Sequence, residues 1–368
     1  MAAPNETQTT KGLVVARIGG VPVQIGASWI LLAAVITFIV GSGNPALGGA
    51  AYVVGLAYAV SLLVSVLVHE GAHAAMARGL GLPVHRVVAD LWGGHTAYDA
   101  RLSTPGKAAA IAVVGPLANG ALALLAWGAS LAVTSDIPSR ILFGIAFVNL
   151  LLAAFNLLPG LPLDGGQLVD ALVWKITGER AKGLIAAGWT GRVVTLGVVL
   201  WFVVRPALIS GSKPSLTSIV WMVLIAWFMW QGATAAIRTG QARQMLGRGT
   251  VAQVVQPVPI LHGTDVLEAA ASSFGLAIVV NDSGQPTSVV LPEDAATVPR
   301  DRWVSTPVSA LARVQPATWV TKTSRGADLT AVVTAIQESG SPVVVAVEDG
   351  RVLGLVTVAA VNAAMGAN

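Results

Sequence analysis

Between residues 24 and 237 the chain repeats one pattern, runs of apolar residues separated by short polar stretches. Six runs stand out, near 24–41, 51–73, 107–133, 141–158, 188–205 and 216–237. As helices these runs suit the hydrocarbon core of a bilayer, whose crossing takes about 20 residues. Beyond residue 249 the pattern changes to short β-rich segments, such as LAIVVNDSGQPTSVVL and PVVVAVEDGRVLGLVTV, alternating with helical stretches. Two similar units follow one another there. Each runs from a Val-Gln-Pro (residues 255–257 and 314–316) through a helix to a strand, an acidic turn with glycine (282–284 and 348–350) and a second strand. The pattern predicts a polytopic α-helical membrane domain over residues 1–248, with about six transmembrane helices, and a cytoplasmic α+β domain of two halves over 249–368.

One polar stretch between the runs has its own periodicity. Residues 82–100, LPVHRVVADLWGGHTAYDA, are too short and polar to span, but they alternate around Gly93-Gly94. They predict a membrane-associated β-hairpin, able to pair with an extended peptide. His85 and His95 within it read as interfacial polar residues.

Composition agrees with a bilayer environment: 54% of residues are hydrophobic, 11% are charged and the mean hydropathy is +0.73. The basic residues sort by side. The connections near 42–50, 134–140 and 206–215 hold only Arg140 and Lys213, with Arg205 at an edge. The opposite connections carry Arg78, Arg86, Arg101 and Lys107, then Lys175, Arg180, Lys182 and Arg192, then Arg238, Arg243 and Arg248, with Lys11 and Arg17 before the first run. Both termini are therefore expected in the cytoplasm, with the chain in the cell membrane of a bacterium. The N-terminal segment lacks the ordered regions of a removable signal peptide, so the first run is expected to stay. The net charge of +4 is dispersed over loops with no basic face, which argues against a nucleic-acid partner. The absence of cysteine excludes disulfides and thiolate metal sites.

The second run ends in SVLVHEGAHAAMARGL, residues 65–80, which places three titratable groups in an apolar helix. His69, Glu70 and His73 form H-E-x-x-H. On a helix the i, i+4 spacing aims both imidazoles at one ion, with the glutamate close enough to handle a water proton. Ionisable groups inside a membrane are costly and persist where they are paired, metal-bound or functional. A catalytic zinc site takes three protein ligands, so a carboxylate or imidazole from another element is missing. Asp164, in FNLLPGLPLDGGQ (155–167), is the candidate; it also suits a helix N-cap with Gln167 as capping-box partner. Pro159, Pro162, Gly165 and Gly166 break the helix there, and irregular backbone at membrane depth must be enclosed by protein or line a cavity.

H-E-x-x-H in an apolar span, followed by N-x-L-P-x-x-P-L-D-G (residues 156–165) and with GPLAN (115–119) between them, resembles the site-2 protease family of intramembrane zinc metalloproteases. The resemblance covers about residues 15–240. It implies His69, His73 and Asp164 as zinc ligands, Glu70 as general base and acid, and Asn156 near the substrate carbonyl. The implied substrate is a transmembrane helix of a membrane-tethered regulator such as an anti-sigma factor. Asn119 and Asn149 are read as structural.

The two-unit tail is similar to a tandem cystathionine-β-synthase (CBS) pair. It departs from the nucleotide-binding pattern of such modules, in which one run supplies a hydroxyl and a carboxylate. The second half keeps Thr357 but has Ala360 at the acidic position; the first keeps Asp294 but has Leu291 at the hydroxyl position. Homodimerisation or partner docking is therefore expected of the tail ahead of adenine-nucleotide sensing. The competing class is a nonenzymatic transporter or metal carrier with a CBS tail. Transport, however, needs ligands and has no use for a base beside them, and the spans show no internal duplication.

Overall fold

The computed structural model describes residues 12–43, 45–90, 93–204 and 215–365. Lys11, Arg205 and Lys213, which entered the count of basic residues, lie outside them. The chain divides into two units at residues 241 and 242.

The first unit begins with a β-hairpin, β1 (Leu13–Ile18) and β2 (Val21–Ile25). Its two-residue turn is Gly19-Gly20, at φ 57° and 85°, a conformation that glycine adopts without strain and that matches the twist of paired strands. Two further strands, β3 (Val84–Asp90) and β4 (Gly93–Tyr98), complete a four-stranded sheet in the order β1-β2-β3-β4. Strands β2 and β3 run parallel, whereas β3 and β4 form the antiparallel hairpin expected over 82–100. Among the described residues, the sheet leaves β4 with a neighbour on one side only.

The helices are α1 (Ser28–Gly43), α2 (Ala50–Gly79), α3 (Pro105–Ala132), α4 (Asp136–Asn156), α5 (Asp164–Thr177), α6 (Arg180–Val199, continued by a π-helical turn at Leu200–Val204) and α7 (Leu216–Arg248). Five of them, all but α1 and α5, are long and apolar enough to cross a membrane. The protein is a multi-pass membrane protein. The first predicted run is split: its opening residues pair as β2, and the rest forms α1, apolar throughout but about 24 Å long at 1.5 Å per residue. Outward faces are covered by Ile30, Leu125, Leu131 and Val193, each more than 60% exposed. In water these would form an extensive apolar surface; lipid removes that cost.

Helix contacts are made through small residues. A Cβ on Gly55 of α2 would meet the Thr37 backbone of α1, and one on Gly188 or Gly240 would meet the facing helix of the α6–α7 pair. Such residues let backbones approach closely where no hydrophobic driving force acts between helices. Arg192, counted above with a polar connection, lies well inside α6. Its guanidinium stacks 4.7 Å from the Trp189 ring and 4.9 Å from the Trp230 ring and donates to Thr234 Oγ1 at 3.1 Å. The two indoles offset part of the cost of holding a cation there.

The second unit contains two sheets. One has the order β5-β6-β7-β8 (Ile260–His262, Ala277–Val280, Pro286–Val290, Arg313–Val314), the other β11-β10-β9 (Arg351–Thr357, Val343–Glu348, Val320–Lys322). In each, a short strand pairs parallel with the next, which pairs antiparallel with a third, so the sequence repeat is a structural repeat. The halves differ in their crossover: the second uses α8 (Thr330–Ser339), the first only a 3₁₀ segment at Leu267–Ser273. Ile278, Val289, Trp319, Val345 and Leu355 form one core cluster joining the two sheets. The segment before the first half pairs with the second: Gln256 exchanges backbone hydrogen bonds with Leu355 at 2.8 and 2.9 Å.

Candidate metal centre and active site

Helix α2 is apolar along most of its length and becomes polar at His69, about three turns before its end. Residues four apart lie on one helical face, so His69 and His73 project together. Their Nε2 atoms are 3.0 Å apart and both side chains are buried.

The third group comes from the broken segment after α4. Gly165 and Gly166 let residues 157–163 fold back tightly, because a Cβ on either would overlap the backbone of residues 157–161. Leu161 N–H donates to the Ala187 carbonyl at 3.1 Å, anchoring the turn to α6. Helix α5 then starts with Asp164 as its first residue; the N-cap position belongs to Leu163, so Gln167 binds the Asp164 side chain, Nε2 to Oδ1 at 3.1 Å, without forming a capping box. The other oxygen, Oδ2, lies 3.0 Å from His69 Nε2 and 3.3 Å from His73 Nε2. These are ion-pair distances without hydrogen-bond alignment, and Oδ2 has no donor.

The outer nitrogens explain why. His69 Nδ1 is 2.9 Å from Asn119 Oδ1, and His73 Nδ1 is 2.6 Å from the Ile111 carbonyl oxygen. Both partners are acceptors, so each ring carries its proton on Nδ1 and turns the Nε2 lone pair inward. Three enclosed lone pairs face one another with no proton between them, an arrangement that repels itself unless a cation lies among them. A tetrahedral ion with bonds of about 2.0–2.2 Å places its ligand atoms about 3.3–3.6 Å apart. The observed triangle of 3.0, 3.0 and 3.3 Å is slightly contracted from that size. The donor set therefore fits a metal ion.

Glu70 adjoins this triangle and is buried, and its carboxylate lies with the two imidazoles in one potential metal-holding cluster. Thr96 Oγ1, on β4, sits 2.8 Å from Glu70 Oε2 and 3.0 Å from the Glu70 carbonyl oxygen, which orients the side chain. The space beside the carboxylate exists because residue 94 is glycine, and that beside the imidazoles because residue 115 is glycine; a Cβ at either would collide with them. The two imidazoles, both carboxylates, Thr96 and Gly94 line a cavity of about 440 Å3 between α2, β4 and the Asp164 turn, with Phe228 of α7 also in its wall. Burial raises the Tyr98 phenol, on the β4 side of the cavity, above its ordinary pKa, so it stays protonated at neutral pH.

Of the residues singled out in the sequence, the fold brings His69, Glu70, His73, Asp164, Asn156 and Gln167 to this one cavity, together with Asn119, which was read as structural but contacts His69. Asn156, the last residue of α4, is half-buried there. His95 also lines the cavity, and His85 does not. In the tail, Asp294 is bound to Arg313 at 2.6 Å, and Thr357 Oγ1 accepts from Ala360 N–H at the start of the last helix. The sequence did not mark Thr96, Gly94 or Gly115 as site residues. The GPLAN motif contained Gly115, whereas Thr96 carried no signal beyond its place on the predicted hairpin.

A family model described as peptidase family M50 matches residues 129–200, a stretch that contains Asn156 and Asp164 but not the histidines. The putative zinc metalloprotease sll0528 of Synechocystis is 28% identical over 360 residues, covering 93% of this chain and 92% of that protein. The putative zinc metalloprotease Rip3 of Mycobacterium tuberculosis is 35% identical over 259 residues, covering 66% of this chain and 63% of Rip3, so that match spans less than two thirds of Rip3. Among solved structures, the site-2 protease from Methanocaldococcus jannaschii is similar over 61% of this chain and 95% of its own, at 22% identity and a TM-score of 0.45. The CBS domain of a bacterial CNNM/CorC family Mg2+ transporter in complex with ATP is similar to the C-terminal region over 34% of this chain and 94% of its own, at 14% identity and a TM-score of 0.26.

Proposed function

We propose that this chain, which belongs to the peptidase M50, site-2 protease, family, is a zinc-dependent endopeptidase that cuts transmembrane helices of membrane-tethered regulators such as anti-sigma factors. The observation that carries the reading is the convergence of His69 Nε2, His73 Nε2 and Asp164 Oδ2 beside the Glu70 carboxylate. Zinc fits this set of two imidazoles and one carboxylate; when bound it lowers the pKa of water and polarises a carbonyl.

The protein's own groups then have distinct tasks. Glu70, fixed by Thr96, takes a proton from water and returns it to the leaving amine. Asn156 makes no side-chain hydrogen bond to another described residue and offers its amide to the developing oxyanion. The open edge of β4, with Gly93 and Gly94 bearing no side chains, pairs with the unwound substrate and holds it extended across the cavity.

The chain is placed in the cell membrane with α1 as a sixth, shorter crossing beside the five long helices, so that both termini lie in the cytoplasm. Arg78 at the end of α2, Lys107 at the start of α3, Lys175 near the end of α5 and Lys182 near the start of α6 support this orientation. The domain boundary is set at residue 249, and the tail is a tandem CBS pair acting in homodimerisation, a reading supported by its two similar halves. Adenine-nucleotide sensing is the weaker reading, since Asp294 and Thr357 are both engaged within the tail. Comparing membrane proteomes of cells carrying the wild type or Glu70→Gln tests the proposal. A membrane-protein fragment present only with the wild type is the expected result; identical profiles would contradict it.

A further inference from the structure

Two asparagines lie in the apolar helices behind the metal centre, Asn119 on α3 and Asn149 on α4, each 1% exposed. Polar side chains at such positions are costly unless every hydrogen bond is made. Here the bonds form a directed chain. Asn149 Nδ2 donates to Ser65 Oγ and to the Ile145 carbonyl, both at 2.9 Å. Ser65 in turn donates its proton to the Ser61 carbonyl at 2.8 Å. Asn149 Oδ1 accepts from Asn119 Nδ2 at 3.3 Å, and Asn119 Oδ1 faces His69 Nδ1 at 2.9 Å.

We propose that Asn149 is a positioning residue that, through Asn119, sets the tautomer of His69 and with it the ability of His69 to bind a metal. The Ile145 carbonyl only accepts, so the Asn149 amide cannot be turned over without setting oxygen against oxygen. Asn149 must therefore present Oδ1 to Asn119, which must present its own Oδ1 to His69. An acceptor at that place puts the imidazole proton on Nδ1 and leaves Nε2 bare. With Asn119 turned over, its Nδ2 would donate to His69 Nδ1, and the ring would carry its proton on Nε2, where it blocks coordination. His73 has no such dependence, because its Nδ1 partner is the Ile111 backbone carbonyl, which cannot turn. The two histidines are thus held by different means, one by fixed backbone and one by two rotatable amides in series.

The inference rests on His69, His73 and Asp164 forming a zinc site, and its test separates the two. Outer partners of metal-bound histidines are typically worth 10–100-fold in affinity; Asn149 stands one bond further out, so Asn149→Leu should weaken zinc binding about tenfold in chelator competition on the full-length protein in detergent. In zinc-free protein with 15N-labelled histidine, the variant should move His69 toward the Nε2–H tautomer and leave His73 unchanged, which a purely structural loss would not do. Asn119→Asp added to Asn149→Leu should restore affinity, since a carboxylate accepts from His69 in either orientation. Ser65→Ala, which leaves the Ile145 carbonyl in place, should show a smaller loss in the same direction and serves if Asn149→Leu does not fold. Wild-type affinity and an unchanged His69 tautomer in the variants, or a double variant no better than Asn149→Leu, would overturn the relay. A wild-type protein that binds no zinc would instead overturn the metal-site reading.

Discussion

Replacing Gly115 by alanine isolates the metal centre from the rest of the fold. Alanine is normally the better helix residue by about 1 kcal/mol, so within α3 the change alone should not destabilise the protein. The added methyl, however, points into the imidazoles. It would stand 2.6 Å from His73 Cε1 and 2.7 Å from His69 Cε1, and closer still to His73 Nε2. To restore an ordinary contact of 3.4 Å the rings must retreat by at least about 0.7–0.8 Å, and His73 by more because of its Nε2. Metal–ligand distances tolerate about 0.2 Å. A displacement several times that tolerance, applied to two of three ligands, should lower zinc affinity by at least the 10–100-fold seen on losing one outer partner. The assay is zinc content by elemental analysis after dialysis against a weak chelator, with thermal unfolding measured on the same sample. Expected are an unchanged or raised unfolding temperature and sub-stoichiometric zinc. Full zinc content together with normal proteolysis in Gly115→Ala would show that the two imidazoles do not occupy that space.

Further expectations separate the parts of the site and of the chain. Gly94→Ala places a methyl 2.8 Å from Glu70 Cδ and Oε1, so it should keep zinc but lose most turnover; equal loss of both, measured on one preparation, would count against separate roles for Glu70 and the ligands. Asp164→Ala should lose zinc and activity together, whereas Gln167→Leu, which removes only the partner of Oδ1, should weaken zinc binding less than Asp164→Ala does; full occupancy in Asp164→Ala would remove this carboxylate from the coordinating set. Deleting residues 250–368 should leave zinc binding intact and change the oligomeric state seen by light scattering, and titrating the full-length protein with ATP or AMP should give no micromolar binding heat. An unchanged oligomer would defeat the dimerisation role, and micromolar binding would establish sensing.

The centre of the site was legible because its chemistry is unusual for its surroundings. Two histidines and a glutamate at the end of an apolar run, and an aspartate after prolines and glycines in another, have few uses inside a bilayer. The directly bonded environment was less legible. Thr96 reaches Glu70 only because β4 packs beside α2, and no spacing along the chain encodes that approach. Asn149 and Ser65 are 84 residues apart and meet only in the folded helices. The β1–β2 hairpin was visible in principle, since two short β-prone stretches, LVVARI and VPVQI, flank Gly19-Gly20; the long apolar run that follows dominated the pattern and drew its boundary too early. Arg192 was counted with a connection because an arginine inside an apolar helix is costly, and the two tryptophans that reduce the cost are neighbours only in space.

The central claim is that Glu70 performs proton transfer beside a zinc held by His69, His73 and Asp164. Its most direct test is the purified Glu70→Gln protein compared with wild type for zinc content and for cleavage of a transmembrane-helix substrate in detergent. The amide keeps the shape of the side chain and removes the base, so the account predicts about one zinc per chain in both proteins and a loss of cleavage of at least 10²-fold in the variant. Cleavage by Glu70→Gln at a near-normal rate, with zinc bound, would contradict it.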